Sequence, residues 1–211
     1  MKKLLLLFVG AALLTACKKD PGSVSGNVYY KFNDYVGNKP DAGATIKIYN
    51  LDKSAESATY EVTSDVQGNY KIADVVPGEY LLITKSKNTT AEITGIFEQF
   101  LSNSKDVNTI FGVDTDKFRS DITELSALSL AKSQGLAEAG GDGFDAGMAK
   151  YKKASADQSK KTEELVKKIP AEFAKTFTIY GAFGPKIEIK KIVVEENKDV
   201  QNNIDFGVTY N

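Results

Sequence analysis

Histidine and tryptophan are absent from the 211 residues, and cysteine and arginine occur once each, as Cys17 and Arg119. Without histidine there is no Ser-His-Asp or Cys-His catalytic pair and no His-ligated zinc site. A lone thiol has no partner for a disulfide within the chain. No Gly-rich phosphate loop followed by Lys-Ser/Thr occurs, so phosphate-cradling nucleotide chemistry has no motif to stand on. No apolar run reaches the ~20 residues that span a bilayer. The formal net charge is −1, which is not a nucleic-acid footprint. Chemistry built on carboxylates alone survives these exclusions, but no Asp/Glu pair stands at a diagnostic spacing. The expectation is a non-enzymatic protein with no cofactor and no resident metal.

What is present begins with an address. Met1-Lys2-Lys3 precedes an apolar stretch from Leu4 to Leu14 that contains Gly10. A short positive segment, a short apolar core and small residues at its end are the parts of a secretory signal. The end of the stretch, Leu14-Thr15-Ala16-Cys17, resembles the lipobox of bacterial lipoproteins. The resemblance implies a signal peptide over 1–16, cleavage before Cys17, a diacylglycerol on its thiol, and a tether over 17–23. One acyl chain holds a membrane only marginally, whereas the two or three of a lipoprotein hold firmly. An ordinary signal peptide with a chance cysteine is the plainer alternative. Lys18 stands where an Asp would mark inner-membrane retention, so the outer membrane is the expected location. Lys18-Lys19-Asp20 is weakly similar to the Lys-plus-acidic tag of surface lipoproteins, with one acid where that tag has two.

From Val24 to Lys87 the periodicity is two. Val28, Tyr30 and Phe32 share one face of the first run, and Ile46 and Ile48 one face of the second. Tyr60 and Val62, Tyr70 and Ile72, and Tyr80 and Leu82 continue the pattern. Such runs, rich in β-branched and aromatic residues and punctuated by turn formers, read as short antiparallel strands. The segments Gly26–Val28, Pro40–Asn50 and Thr63–Leu82 together resemble the carboxypeptidase regulatory-like domain, a transthyretin-like sandwich related to the Cna B-type repeats. The matching positions are Gly43-Ala44, Thr63, Asp65, Gly68-Asn69-Tyr70 and Pro77-Gly78-Glu79-Tyr80. The resemblance implies a β-sandwich with the paired tyrosines between its sheets, and it is nearly silent on activity. Some relatives cross-link a Lys to an Asn with help from a Glu. Lys31 and Asn203 are the candidates here, but Tyr80 to Thr84 holds no Glu, so no cross-link is expected.

The sandwich is interrupted. Residues 24–90 read as its first part and 181–211 as its closing strands, Ile187–Glu195 and Ile204–Tyr210. Between them, 91–180 changes to helical period. Ile93 to Leu101 forms a short helix. Asp114 or Thr115 caps a longer one carrying Phe118, Ile122, Leu125 and Leu128. After Gly140-Gly141 a second long helix carries Phe144, Met148, Tyr151, Ser155, Gln158, Thr162, Leu165 and Ile169 in a narrow stripe. Asp142 is its expected cap. The two helices make a hairpin over about 114–169 whose small, polar middle implies close contact without a thick core. Pro170 should kink or restart the chain, leaving Phe173 and Phe177 to dock on the sandwich. The fold class is thus mainly β with an α insertion: a transthyretin-like antiparallel β-sandwich with a helical hairpin before its last two strands.

Two features invite a functional reading. The second long helix bears many lysines, of which Lys150, Lys153, Lys160, Lys161 and Lys167 are the candidate surface for an acidic partner. The plainer reading is a solvated face. Gly140 to Asp145 matches one copy of a calcium-binding Gly-Gly-x-Gly-x-Asp repeat, but such sites need stacked copies, so a turn is the better reading. The functional expectation is a lipid-anchored envelope module of accessory, adhesive or scaffolding type that binds an envelope protein or a glycan. The alternatives are a carboxylate-based envelope enzyme or regulatory subunit, marked by a cleft with two converging acids, and a small-molecule carrier with a pocket between hairpin and sandwich.

Overall fold

A computed structural model describes residues 19–52, 58–169 and 183–209. The signal segment, Cys17, Pro170, Phe173, Phe177 and Tyr210 lie outside the described residues. Strands β1 (Gly22–Asn33), β2 (Gly37–Pro40), β3 (Thr45–Asn50), β4 (Tyr60–Thr63), β5 (Asn69–Val75) and β6 (Gly78–Glu92) come first. Helices α1 (Ile93–Ser102), α2 (Ser104–Phe111), α3 (Arg119–Ala139) and α4 (Phe144–Lys167) follow. Strands β7 (Phe183–Val194), β8 (Asp199–Gln201) and β9 (Ile204–Val208) close the chain.

The strands form two facing sheets. In one, β1 is central, with β2 and β5 antiparallel to its two halves. The short β8 and the closing β9 pair with β1 in parallel, a departure from the all-antiparallel expectation. The other sheet runs β4-β3-β6-β7, antiparallel throughout. The architecture is a two-sheet β-sandwich with its helices inserted ahead of the closing strands.

The second sheet is apolar on both faces. Ile46, Ile48, Tyr80, Leu82, Ile192 and Val194 turn toward Val24, Val28, Tyr70, Ile72, Ile204 and Phe206 between the sheets. Tyr49, Leu81, Ile83, Ile187 and Ile189 turn the other way and pack under the helices. Tyr49 and Leu81 therefore have a second core to fill, where a two-layer sandwich would expose them. A strand buried on both sides carries a continuous apolar run, and Tyr80-Leu81-Leu82-Ile83 is one.

Helix α1 supplies Ile93, Ile96, Phe97 and Phe100 to the outer core, and α2 supplies Val107 and Ile110. Gly112, at φ +62°, ends α2. A single 3₁₀ turn, Thr115–Phe118, leads into α3, with the Asp114 side chain accepting from the Asp116 N–H at 3.2 Å. The cap of α4 is Gly143, without a side-chain bond, in place of the expected Asp142.

The hairpin docks by its base. Ile122, Leu125, Leu165 and Ile169 join the outer core together with Phe118. Toward the turn, α3 and α4 touch through small residues. A Cβ placed on Gly135 would lie 2.7 Å from the Tyr151 nitrogen and 2.9 Å from the Gly147 oxygen. Phe144, expected in the stripe, is 63% exposed, because Gly147 and Ala154 occupy the seam beside it. Among the described residues no helix is long and apolar enough to cross a membrane.

Candidate binding clefts

The turn motif of the sandwich is built by one carboxylate. Asp65 Oδ1 accepts from the Gln67 and Asn69 N–H groups at 2.9 and 2.8 Å. Gly68 sits at φ +81°, a conformation natural to glycine. Tyr70 then enters the core, and its hydroxyl donates to the Asn202 carbonyl at 2.8 Å. Tyr80 does the same toward the Val76 carbonyl at 2.7 Å. The paired tyrosines are thus core residues, with the Tyr70 hydroxyl bond buried and that of Tyr80 partly so.

Strand β7 changes character along its length. Alternation places Lys186, Glu188, Lys190, Ile192 and Val194 on the face toward the other sheet. The apolar pair seals the sandwich, and the charged trio holds it open. Lys190 Nζ donates to Asn202 Oδ1 at 2.8 Å, and Lys186 Nζ to the carbonyls of Phe206 and Val208 at 2.8 and 3.0 Å. Helix α1, the edge of β7 and strand β9 together border a cleft of about 420 Å³. Its floor includes Ile96, Ile187 and Phe206, and its rim carries Gln99, Lys186, Glu188 and Asp205. Burial pushes the Glu188 carboxyl above its ordinary value; the Lys190 charge opposes this and the Asp205 charge adds to it. Two acids therefore meet in one cleft, the arrangement that marks the enzyme alternative.

A second cavity of about 440 Å³ lies around the neighbouring stretch of β6 and β7, bordered by Gly43, Thr45, Lys85, Lys87, Thr90 and Phe183. Its wall is a bulge in β6, where pairing with β7 shifts register between Lys85 and Thr90. The bulge is held from below by Asp41, which has no exposed surface. Burial, and after it the charge of Lys47, hold the Lys85 ammonium below its ordinary value.

The lysines of α4 fall into two groups. Lys150 pairs with Glu138 at 2.6 Å. Lys161 pairs with Asp121 at 2.8 Å and Glu124 at 2.5 Å, and Lys168 joins at 2.9 Å from Asp121. These tie α4 to α3. Lys153, Lys160 and Lys167 are exposed, but Asp157 and Glu164 stand between them at helical spacing. The stripe Lys153-Asp157-Lys160-Glu164-Lys167 alternates in sign, three cations against two acids. Lys31 forms an ion pair with Asp34, and Asn203 Oδ1 accepts from the Asn27 N–H at 3.0 Å, so the cross-link candidates are engaged apart. Among the described residues no three potential ligands cluster for a metal.

Glu188 and Lys85 escaped the sequence reading, although a signal was there. Each is a charge set into a strand that elsewhere feeds the apolar cores.

No protein-family profile and no curated protein matches the sequence. Among solved structures, the chain is similar to the minor pilin GBS52 of Streptococcus agalactiae at 10% identity and a TM-score of 0.34, over 90% of this chain and 45% of the pilin. It thus spans under half of the pilin's length. A candidate carbohydrate-binding protein of Pseudomonas aeruginosa is similar at 7% identity and a TM-score of 0.35, over 93% of this chain and 95% of that one. The 5-hydroxyisourate hydrolase of Klebsiella pneumoniae is similar at 15% identity and a TM-score of 0.22, over 39% of this chain and 62% of the hydrolase. Likeness this distant says nothing of activity.

Proposed function

We propose that the chain is a lipid-anchored module of the bacterial cell envelope, held in the outer membrane through acylated Cys17, and that it binds a glycan in the cleft between α1, β7 and β9 without turning it over. The observation that carries the reading is the cleft itself. It has the size of a small-ligand site. Its rim offers donors and acceptors on Gln99, Lys186, Glu188 and Asp205 around an apolar floor. A sugar presents the complement: hydroxyls that donate and accept, and C–H faces that prefer apolar contact. On α4, Asp157 and Glu164 interrupt the exposed lysines, which favours a solvated helix face over a docking surface for an acidic protein.

Calorimetry with the full chain and a panel of neutral cello-, malto-, xylo- and manno-oligosaccharides tests the binding. Loss of the bound sugar in Gln99→Ala and Asp205→Asn proteins of unchanged Tm supports the cleft. No heat with any of the panel would remove it. Palmitate labelling that disappears in Cys17→Ser tests the anchor.

One observation favours a second reading. Glu188, with its pKa raised, and Asp205 share the cleft, as a carboxylate-based hydrolase requires. Product formation from any sugar of the panel, abolished by Glu188→Gln while binding persists, would make the chain an enzyme.

A further inference from the structure

We propose that the cavity at the bulge of β6 is a separate binding site for an acidic saccharide, with the anionic group held by Lys85 and Lys87 and the sugar ring against Phe183.

The charge at this site is only partly compensated among the described residues. Lys85 lies half-buried on the face of the sheet that looks toward the helices, opposite Thr45 on β3 and Ile187 on β7. Among the described residues its amine has neither a hydrogen bond nor an ion pair. Lys47 and Lys87 add positive charge, and among the described residues Glu61 is the one acid that acts on Lys85. Glu61 is already engaged, 3.5 Å from Lys47 Nζ. Taking a cation partly out of water costs free energy unless an anion accompanies it. An anionic group entering this cavity would accompany the cation.

The shape of the site points to a sugar. The stem of Lys87 lies along Gly43, where an added Cβ would meet Lys87 Cγ at 3.6 Å. Lys87 lines the same cavity as Lys85, and its charge acts on the Lys85 ammonium. The Phe183 ring is 46% exposed at the cavity wall, and Lys132 Nζ stands 5.8 Å from its centroid, reinforcing the positive field. Thr45 and Thr90 place hydroxyls at the border. A cationic pair, a flat apolar ring and hydroxyls around about 440 Å³ match a sugar ring bearing a carboxylate or a sulfate. The bulge that shapes the cavity is fixed in place by Asp41, so the site is preformed.

The inference does not depend on the neutral-glycan cleft, and the test keeps the two apart. The full chain is titrated with trigalacturonate, its methyl-esterified neutral form, a sulfated trisaccharide, and acetate and inorganic sulfate alone. The expected result is binding of one charged trisaccharide at least tenfold tighter than the neutral form and either free anion, weakening as salt rises. Lys85→Gln should lose tenfold or more with its Tm unchanged or higher, and Phe183→Ala several-fold, while Gln99→Ala has no effect. The carboxylated and sulfated arms identify the anionic group. Equal binding of charged and neutral sugars, an intact affinity in Lys85→Gln, or free sulfate or acetate binding as tightly as the sugar would each overturn the proposal.

Discussion

Asp41 Oδ1 accepts two hydrogen bonds from Asn88, one from its backbone N–H at 3.1 Å and one from its side-chain Nδ2 at 2.6 Å. The other oxygen takes the Ser86 hydroxyl at 2.5 Å and the Lys87 N–H at 3.3 Å. A buried carboxylate facing only donors is the keystone of the β6 bulge. Replacing it by Asn sets an amide N–H₂ against those donors. Hydrogen bonds to a charged group contribute about 1.5–3 kcal/mol each, and a buried donor left unpaired costs a similar amount. Asp41→Asn should lower stability by about 2–3 kcal/mol in urea unfolding, and it should abolish acidic-saccharide binding along with the bulge.

The hairpin is set by two glycines that a propensity scale would mark as defects. Ala at either position gains up to about 1 kcal/mol in helix propensity. Here the added methyl would drive into the facing backbone, with Gly135 and the Ala139 nitrogen as the obstacles at position 147. Overpacking of this kind costs about 1–3 kcal/mol. Gly135→Ala and Gly147→Ala should each lower Tm, whereas Gly95→Ala, with nothing within 4 Å of the new methyl, should raise it or leave it unchanged. A rise in Tm for Gly135→Ala would mean that the helices do not meet there.

The contrast between these elements shows what the sequence could reveal. The tyrosine pair was legible through the resemblance alone, since the Tyr70 hydroxyl meets Asn202 far along the chain. Strand period and the Asp65–Gly68 turn were legible because each is local: a spacing of two, a φ that suits glycine. The change from strand to helix after Glu92 was legible for the same reason. Asp41 was not, because its partners lie at Ser86 and Asn88, and nothing near it in the chain says that it is buried. Tyr49 and Leu81 read as the outer face of a sandwich until α1 and α2 are seen to cover them. The two clefts arise where charges are set into strands that elsewhere feed the cores, Glu188 with Lys186 and Lys190 on β7 and Lys85 on β6. That pattern was visible, but its meaning depends on which strand becomes an edge and what packs beside it. On α4 the lysines and the acids set among them, Asp157 and Glu164, were legible, while the pairing of Lys150 and Lys161 with acids of α3 was not, because those partners lie on the facing helix.

Asp121, 6% exposed, receives Lys161 and Lys168 at the base of the hairpin. Burial pushes its carboxyl up, but the hydrogen bonds and charges of the two lysines outweigh this and hold its pKa below the ordinary 3.8. A depressed carboxylate pKa contributes stability that is complete above the unfolded-state value and is lost as pH falls through the folded-state value. Asp121→Asn should therefore cost about 1–3 kcal/mol at pH 7. The difference from the parent should shrink as pH drops below about 4. Denaturant unfolding at pH 7, 5 and 3 checks it; a gap that stays constant with pH would show that Asp121 acts by packing alone.

Glu188 should behave in the opposite sense. Burial raises its pKa, with Lys190 opposing and Asp205 adding to the rise. A raised carboxyl pKa favours the folded state where the group is protonated in both states. That advantage is lost as pH rises through the folded-state value, because the folded chain must then hold a partly desolvated charge. At pH 7 the parent protein bears that burden and the Glu188→Gln protein does not. The variant should therefore have the higher Tm at pH 7, and the two curves should converge as pH falls to about 4 and below. A protein that keeps a charge at a site where a neutral isostere is more stable keeps it for what the charge contacts. The same variant should then lose affinity for a neutral glycan whose hydroxyls donate to Glu188. If the Glu188→Gln protein is less stable at pH 7, or binds the sugar as well as the parent does, the acid is a structural member of the β7 rim and the cleft needs another anchor.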